Sequence, residues 1–240
     1  MLAGVVSVIL SGLFSLRTAQ SRHRFELEKD KRIQQQSALR AAQSVYEPLA
    51  LAAAELQSKI YNIVQAGRAG PVTRYSRRDD YPEVSTAYFF ANYLGWIEAR
   101  REAILASTGN GERDLQVQRL IGHVCQALRR DELGDGFSFL TAEQRGIGEV
   151  MFSWESLSQT ETKEPHVLGY AAFVDRYRGD AVFRSWFDSI GPGLKYATSG
   201  DHQRLIEIHT ALVDLVRELD PEQMYTSGHK LQSLGDDSGE

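Results

Sequence analysis

An all-α fold is predicted by three observations. Apolar residues recur at spacings of three and four along most of the chain, which puts them on one face of a helix. No stretch alternates convincingly as a strand. Two acceptor–amide or acceptor–acid pairs, Asp80 with Glu83 and Thr141 with Gln144, stand at the head of apolar runs as capping boxes do. The architecture expected is an N-terminal membrane-anchor helix (1–17), a basic juxtamembrane stalk opening a long kinked helix (18–41), a compact all-α cytoplasmic domain (42–221) and an acidic disordered tail (222–240).

The anchor is read from Leu2 to Leu16, where the only polar side chains are Ser7, Ser11 and Ser15. Serine hydroxyls bond back to helix carbonyls and are tolerated in lipid. At about 1.5 Å per residue the run is shorter than a hydrocarbon core of roughly 30 Å, so it spans only with local thinning or snorkelling from Arg17. A cleaved signal is disfavoured, because nothing basic precedes Leu2 and Arg17-Thr18 is a poor cleavage site. A helix buried in an oligomer and a longer span begun upstream are the other readings. Arg17, Arg22, Arg24, Lys29, Lys31 and Arg32 follow the run, and this positive flank places the following chain in the cytoplasm of a single-pass cell-membrane protein.

Residues 18–65 are helical in pattern. Ala42, Tyr46, Leu49, Ala53, Leu56, Ile60 and Ile63 form a heptad-like seam, a surface for a protein partner or for self-association, and its phase survives Pro48. Gly67 to Tyr81 reads as a loop around Gly70-Pro71. Its Arg68, Arg74, Arg77 and Arg78 are candidate contacts for an anion or an anionic lipid, against the commoner reading of a solvated loop.

The helix after Asp80 carries Tyr88, Phe89, Phe90, Tyr93, Leu94, Trp96 and Ile97, a broad stripe suited to a core rather than a ligand cage. Glu112 to Arg130 is amphipathic, with Cys125 as a small buried hydrophobe. A helix opens at Thr141 and runs through Phe152, and 153–166 is a loop ending at Pro165. Two short helices, 168–177 and 181–190, follow, the second stopped by Gly191-Pro192-Gly193. Asp201 is expected to cap a last helix whose stripe, Leu205 to Leu219, is wide enough to lie centrally. From Thr226 on, Gly, Ser and Asp predict disorder.

Function is bounded mainly by exclusion. A formal net charge of −5 argues against a general nucleic-acid binder, and a single cysteine excludes an intrachain disulfide. No zinc, di-iron, phosphate-loop or nucleophile-elbow motif is present, and no cofactor is expected. Gly146 and Gly148 follow no strand and fit close helix packing better than nucleotide binding. The expected function is a membrane-tethered interaction or scaffold module without catalytic chemistry. The alternative is a helical enzyme or small-ligand or lipid sensor whose pocket between helices uses His123, Arg145, Glu149 and His209, although His209 reads more simply as a hydrogen-bonded core residue.

Overall fold

The computed structural model describes Lys29 and residues 45–67, 80–105, 112–129, 136–156, 163–198, 202–228, 231 and 234. The expected anchor, most of the stalk, the arginine loop at 68–79 and Asp201 lie outside the described residues. Among the described residues, no helix is long and apolar enough to cross a membrane.

The fold is mostly helical, as the periodicity requires. Helix α1 covers 45–67 and is continuous through Pro48. It is followed by α2 (Tyr81–Leu105), α3 (Glu112–Arg129), α4 (Thr141–Met151), β1 (Phe152–Ser156), β2 (Lys163–Val167), α5 (Tyr170–Gly179), α6 (Ala181–Ser185), α7 (Ile190–Ala197) and α8 (Gln203–Leu219). Helix α2 packs chiefly on α4, and α3 on α8. Between these pairs runs α1, tied to α8 through Gln57 and His209 and to α2 through Lys59 and Ser85.

That central position decides the fate of the seam. Leu49, Ala53, Leu56 and Ile60 are fully buried within the chain's own core, and Ala50, Ala52 and Ala54 are buried beside them. These seam positions are satisfied intramolecularly and are not available to a partner or a second copy, whereas Tyr46 and Ile63 are only partly buried and Ala42 lies outside the described residues. Helix α8 is central as expected, with Leu205, Ile208, Leu212, Val213, Val216 and Leu219 all buried.

Several local expectations are corrected. The stretch 153–166 is not wholly loop: β1 and β2 pair antiparallel, with Phe152 opposite Val167 and Trp154 opposite Pro165. Phe152, Trp154, Pro165 and Val167 therefore share one face, and Val167 seats against α2 where Gly95 leaves no room for a Cβ. Pro165 hides the strand in the sequence, yet a two-stranded sheet has only edges, where a missing N–H is tolerated. Gly191-Pro192-Gly193 does not stop a helix but lies inside α7. Pro192 is in its first turn, where an amide would have no helical acceptor. Gly193 is required there because a Cβ would meet the Phe137 ring at 2.6 Å.

His202 stands immediately before α8 and makes no side-chain cap bond, the expected cap Asp201 lying outside the described residues. The cap of α4 does differ. At α4 the residue before the helix is Leu140, whose amide donates to Glu143 Oε2 at 2.7 Å. Gln144 instead turns inward and donates to the carbonyls of Cys125 (2.9 Å) and Phe139 (2.7 Å), joining α4 to α3. Asp80 and Glu83 reach across to α5, accepting from Arg178 (2.7 Å) and Tyr177 (2.9 Å). Thr226 is fully buried rather than the start of a disordered tail, since the Asp220 carboxylate accepts its amide and hydroxyl and the Met224 and Tyr225 amides. Leu234 reaches the core as well.

Candidate functional site

A cleft of about 460 Å³ opens between α2, α3 and α4. Its floor is apolar, from Leu94 and Ile97 of α2 and Ile121 of α3, and its walls are polar, from Glu98, Arg101, Gln118, Arg129, Gln144 and Arg145. An apolar base with a few converging polar groups is the usual make-up of a small-ligand site, and the volume is in the range such sites occupy.

Helical spacing explains how the polar groups meet. Glu98 and Arg101 are three apart on α2 and so lie on one face, and Arg101 Nε donates to Glu98 Oε2 at 2.9 Å. A second bond joins Arg101 Nη2 to Glu98 Oε1, making the pair bidentate. Arg145, on α4, brings its Nε to 3.6 Å from the same carboxylate and to 2.7 Å from Glu149, one turn along its own helix. The Glu98 side chain is only 7 % exposed, so its charge is held away from water by two arginines. Arg129 completes the rim at the end of α3, and among the described residues its side chain makes no hydrogen bond or ion pair.

The α2–α4 approach is as close as it is because of glycine. A Cβ on Gly148 would lie 3.0 Å from the Leu94 carbonyl oxygen and from Glu98 Cβ, and one on Gly146 would strike Trp186 at 2.6 Å. The Gly146/Gly148 pair thus marks close packing, and it brings Arg145 within reach of Glu98. On the opposite wall, Gln118 accepts from Arg100 Nη1 at 2.6 Å; burial lowers the Arg100 pKa to about 10.

Of the four sequence-predicted pocket residues, Arg145 and Glu149 are brought together, while His123 and His209 lie elsewhere. Arg145 lines the cleft and Glu149 pairs with it at the edge. His123 lines a separate groove between α3 and α8 with Glu207, Thr210 and Asp214. His209 is in the core: its Nε2 is 2.7 Å from Gln57 Nε2, its ring lies beside Tyr61, and burial lowers its pKa to about 4. Arg68, Arg74, Arg77 and Arg78 lie outside the described residues. What the sequence reading missed is Glu98, Arg101 and Arg129. The available signal was an acid directly after Trp96-Ile97, inside the apolar stripe, with an arginine three residues on.

Reactive groups are restrained. Cys125 lines the cleft, but burial pushes its thiol up to about 11, which keeps it protonated at neutral pH. The Tyr93 hydroxyl, near Cys125 and fully buried, is also held well above its ordinary value by burial. Lys59 Nζ donates to Ser85 Oγ at 2.8 Å, and burial lowers the amine to about 8. Such a pair resembles a base beside a nucleophile, but Ser85 is 2 % exposed, which gives a substrate no path to its hydroxyl. Among the described residues no group of three or more His, Cys, Asp or Glu is placed to hold a metal ion. Comparison of the chain with protein-family models, with curated proteins and with solved structures finds no match in any of the three.

Proposed function

We propose that this chain is a non-catalytic helical binding module held at the cytoplasmic face of a membrane by its N-terminal apolar segment. One observation carries the binding half of this reading: the cleft between α2, α3 and α4 presents ionisable groups that orient one another rather than a group poised to react. Glu98 is bracketed by Arg101 and Arg145, and the Cys125 thiol is pushed toward its inert form. General acid–base or nucleophilic work needs a group able to exchange a proton or attack near neutral pH. Recognition needs what is present, fixed donors over an apolar floor.

The membrane half is supported by the uncharged run from Leu2 to Leu16 and the basic flank from Arg17 to Arg32. With Leu49, Ala53, Leu56 and Ile60 buried inside the domain, a partner or ligand is expected at the cleft rather than at these positions of α1. Affinity capture of the full-length chain from detergent-solubilised membranes is the test. A specific co-purifying partner or ligand, lost when Arg145→Glu alters the cleft, is the expected result. The intact, unprocessed polypeptide in the detergent-free soluble fraction would end the tethering account, and capture unchanged by the cleft variant would end the binding account.

A further inference from the structure

We infer that the cleft takes a small amphipathic anion, a single phosphate or carboxylate head on a short apolar body, with the head held by Arg145, Arg101 and Arg129. This deepens the binding reading above and rests on it. A guanidinium carries five N–H donors in a planar fork. The Nε of Arg145 is turned to Glu149 and Glu98, and among the described residues its two terminal nitrogens make no further bond. Arg101 uses its Nε and Nη2 on Glu98 and Glu102, leaving Nη1. Arg129 uses none of its donors on the described residues. The acids therefore fix the backs of Arg101 and Arg145 while unused donor edges remain at the rim of the same cavity.

Two physical consequences favour an anion. The charged residues lining the cleft are three arginines and one glutamate, so although Glu102 and Glu149 behind them balance the cluster as a whole, the groups at the cavity itself are mostly cationic. Side chains already locked by Glu98, Glu102 and Glu149 lose little further entropy on binding, and guanidiniums match planar or tetrahedral oxyanions bidentately. Leu94, Ile97 and Ile121 beneath them supply contact for an apolar body a few carbons long. A cavity of about 460 Å³ takes such a molecule whole, whereas a bilayer would offer its headgroups without filling the floor.

The test is titration of the full chain with hexyl phosphate, hexanoate, hexanol, hexylammonium and inorganic phosphate, read by calorimetry, with vesicles containing phosphatidic acid as a separate arm. Hexyl phosphate and hexanoate are expected to bind, inorganic phosphate more weakly, and hexanol and hexylammonium weakest. Arg129→Gln removes no bond within the described residues and so keeps its melting temperature, yet should weaken hexyl phosphate by about tenfold, as loss of a charge-assisted bond does. Arg145→Gln should weaken it at least as much. Vesicles that displace hexyl phosphate would keep the chemistry and assign it to a membrane lipid; vesicles without effect would assign it to a soluble molecule. Equal binding of hexanol and hexyl phosphate, no binding at millimolar concentration, or no effect of Arg129→Gln would overturn the inference. Those failures leave membrane capture of a different ligand or partner at the cleft untouched, so the two readings fail separately.

Discussion

His209 shows how one buried side chain couples stability to pH. It is fully buried between α8 and α1, bonded to Gln57, and burial lowers its pKa to about 4 from an ordinary 6.5. Between those values the unfolded chain binds the proton more readily than the folded one, so stability from this group rises with pH across that window. Above it the effect is absent; below about 4 the loss is complete, roughly 3 kcal/mol from a shift of this size. Urea unfolding of wild type and His209→Gln near pH 4.5 and pH 7 checks this. The wild type should lose about 2 to 3 kcal/mol more than the variant on acidification. Equal losses would show that the imidazole is not held neutral. The histidine's apolar company on α8 was visible from spacing alone, but Gln57, 152 positions away, was not.

At the scale of elements, glycines separate helix propensity from helix packing. Gly122 on α3 has nothing within 4 Å of where a Cβ would stand, whereas Gly148 on α4 has the backbone of α2 at 3.0 Å. Gly122→Ala should therefore stabilise by about 0.5 to 1 kcal/mol, since alanine suits a helix interior better. Gly148→Val should destabilise by about 1 to 3 kcal/mol, because overpacking forces α4 off α2. Thermal unfolding of both variants is the measurement, and opposite signs are expected. The same displacement would carry Arg145 away from Glu98 and widen the cleft, which links helix packing to binding. Close packing at Gly146 and Gly148 was legible once their nucleotide reading failed for want of a strand. The hairpin was not, because Pro165 and the charged residues of β2 mask its weak alternation.

For the whole molecule, the chain after α8 belongs to the fold through at least Thr226, and Leu231 and Leu234 pack on the core. Burial alone would raise the Asp220 carboxyl, but the Thr226 hydroxyl and the Tyr225, Thr226 and Met224 amides bring it below its ordinary value and hold the turn closed. Leu234→Ala should cost about 2 to 4 kcal/mol in urea unfolding, the usual range for emptying a buried leucine site. A change under about 0.5 kcal/mol, typical of exposed positions, would place this segment outside the core. Composition suggested disorder here because Gly, Ser and Asp dominate, yet Leu231, Leu234 and the well-bonded Asp220 tie the described residues of this segment to the core.

The all-α class, the stripes of α2 and α8 and the absence of local catalytic motifs were determined by the sequence, because helix periodicity and motif spacing are properties of neighbouring residues. The destination of each apolar face was decided only by the tertiary structure. The α1 seam could have met another chain as readily as α2 and α8, and nothing local distinguishes these outcomes. The cleft is of the same kind: Glu98, Arg101, Gln118, Arg129 and Arg145 come from three helices and converge because Gly148 lets α4 approach α2. Contacts between residues far apart in the chain leave no periodic trace, so a site built from them appears only when the helices are packed.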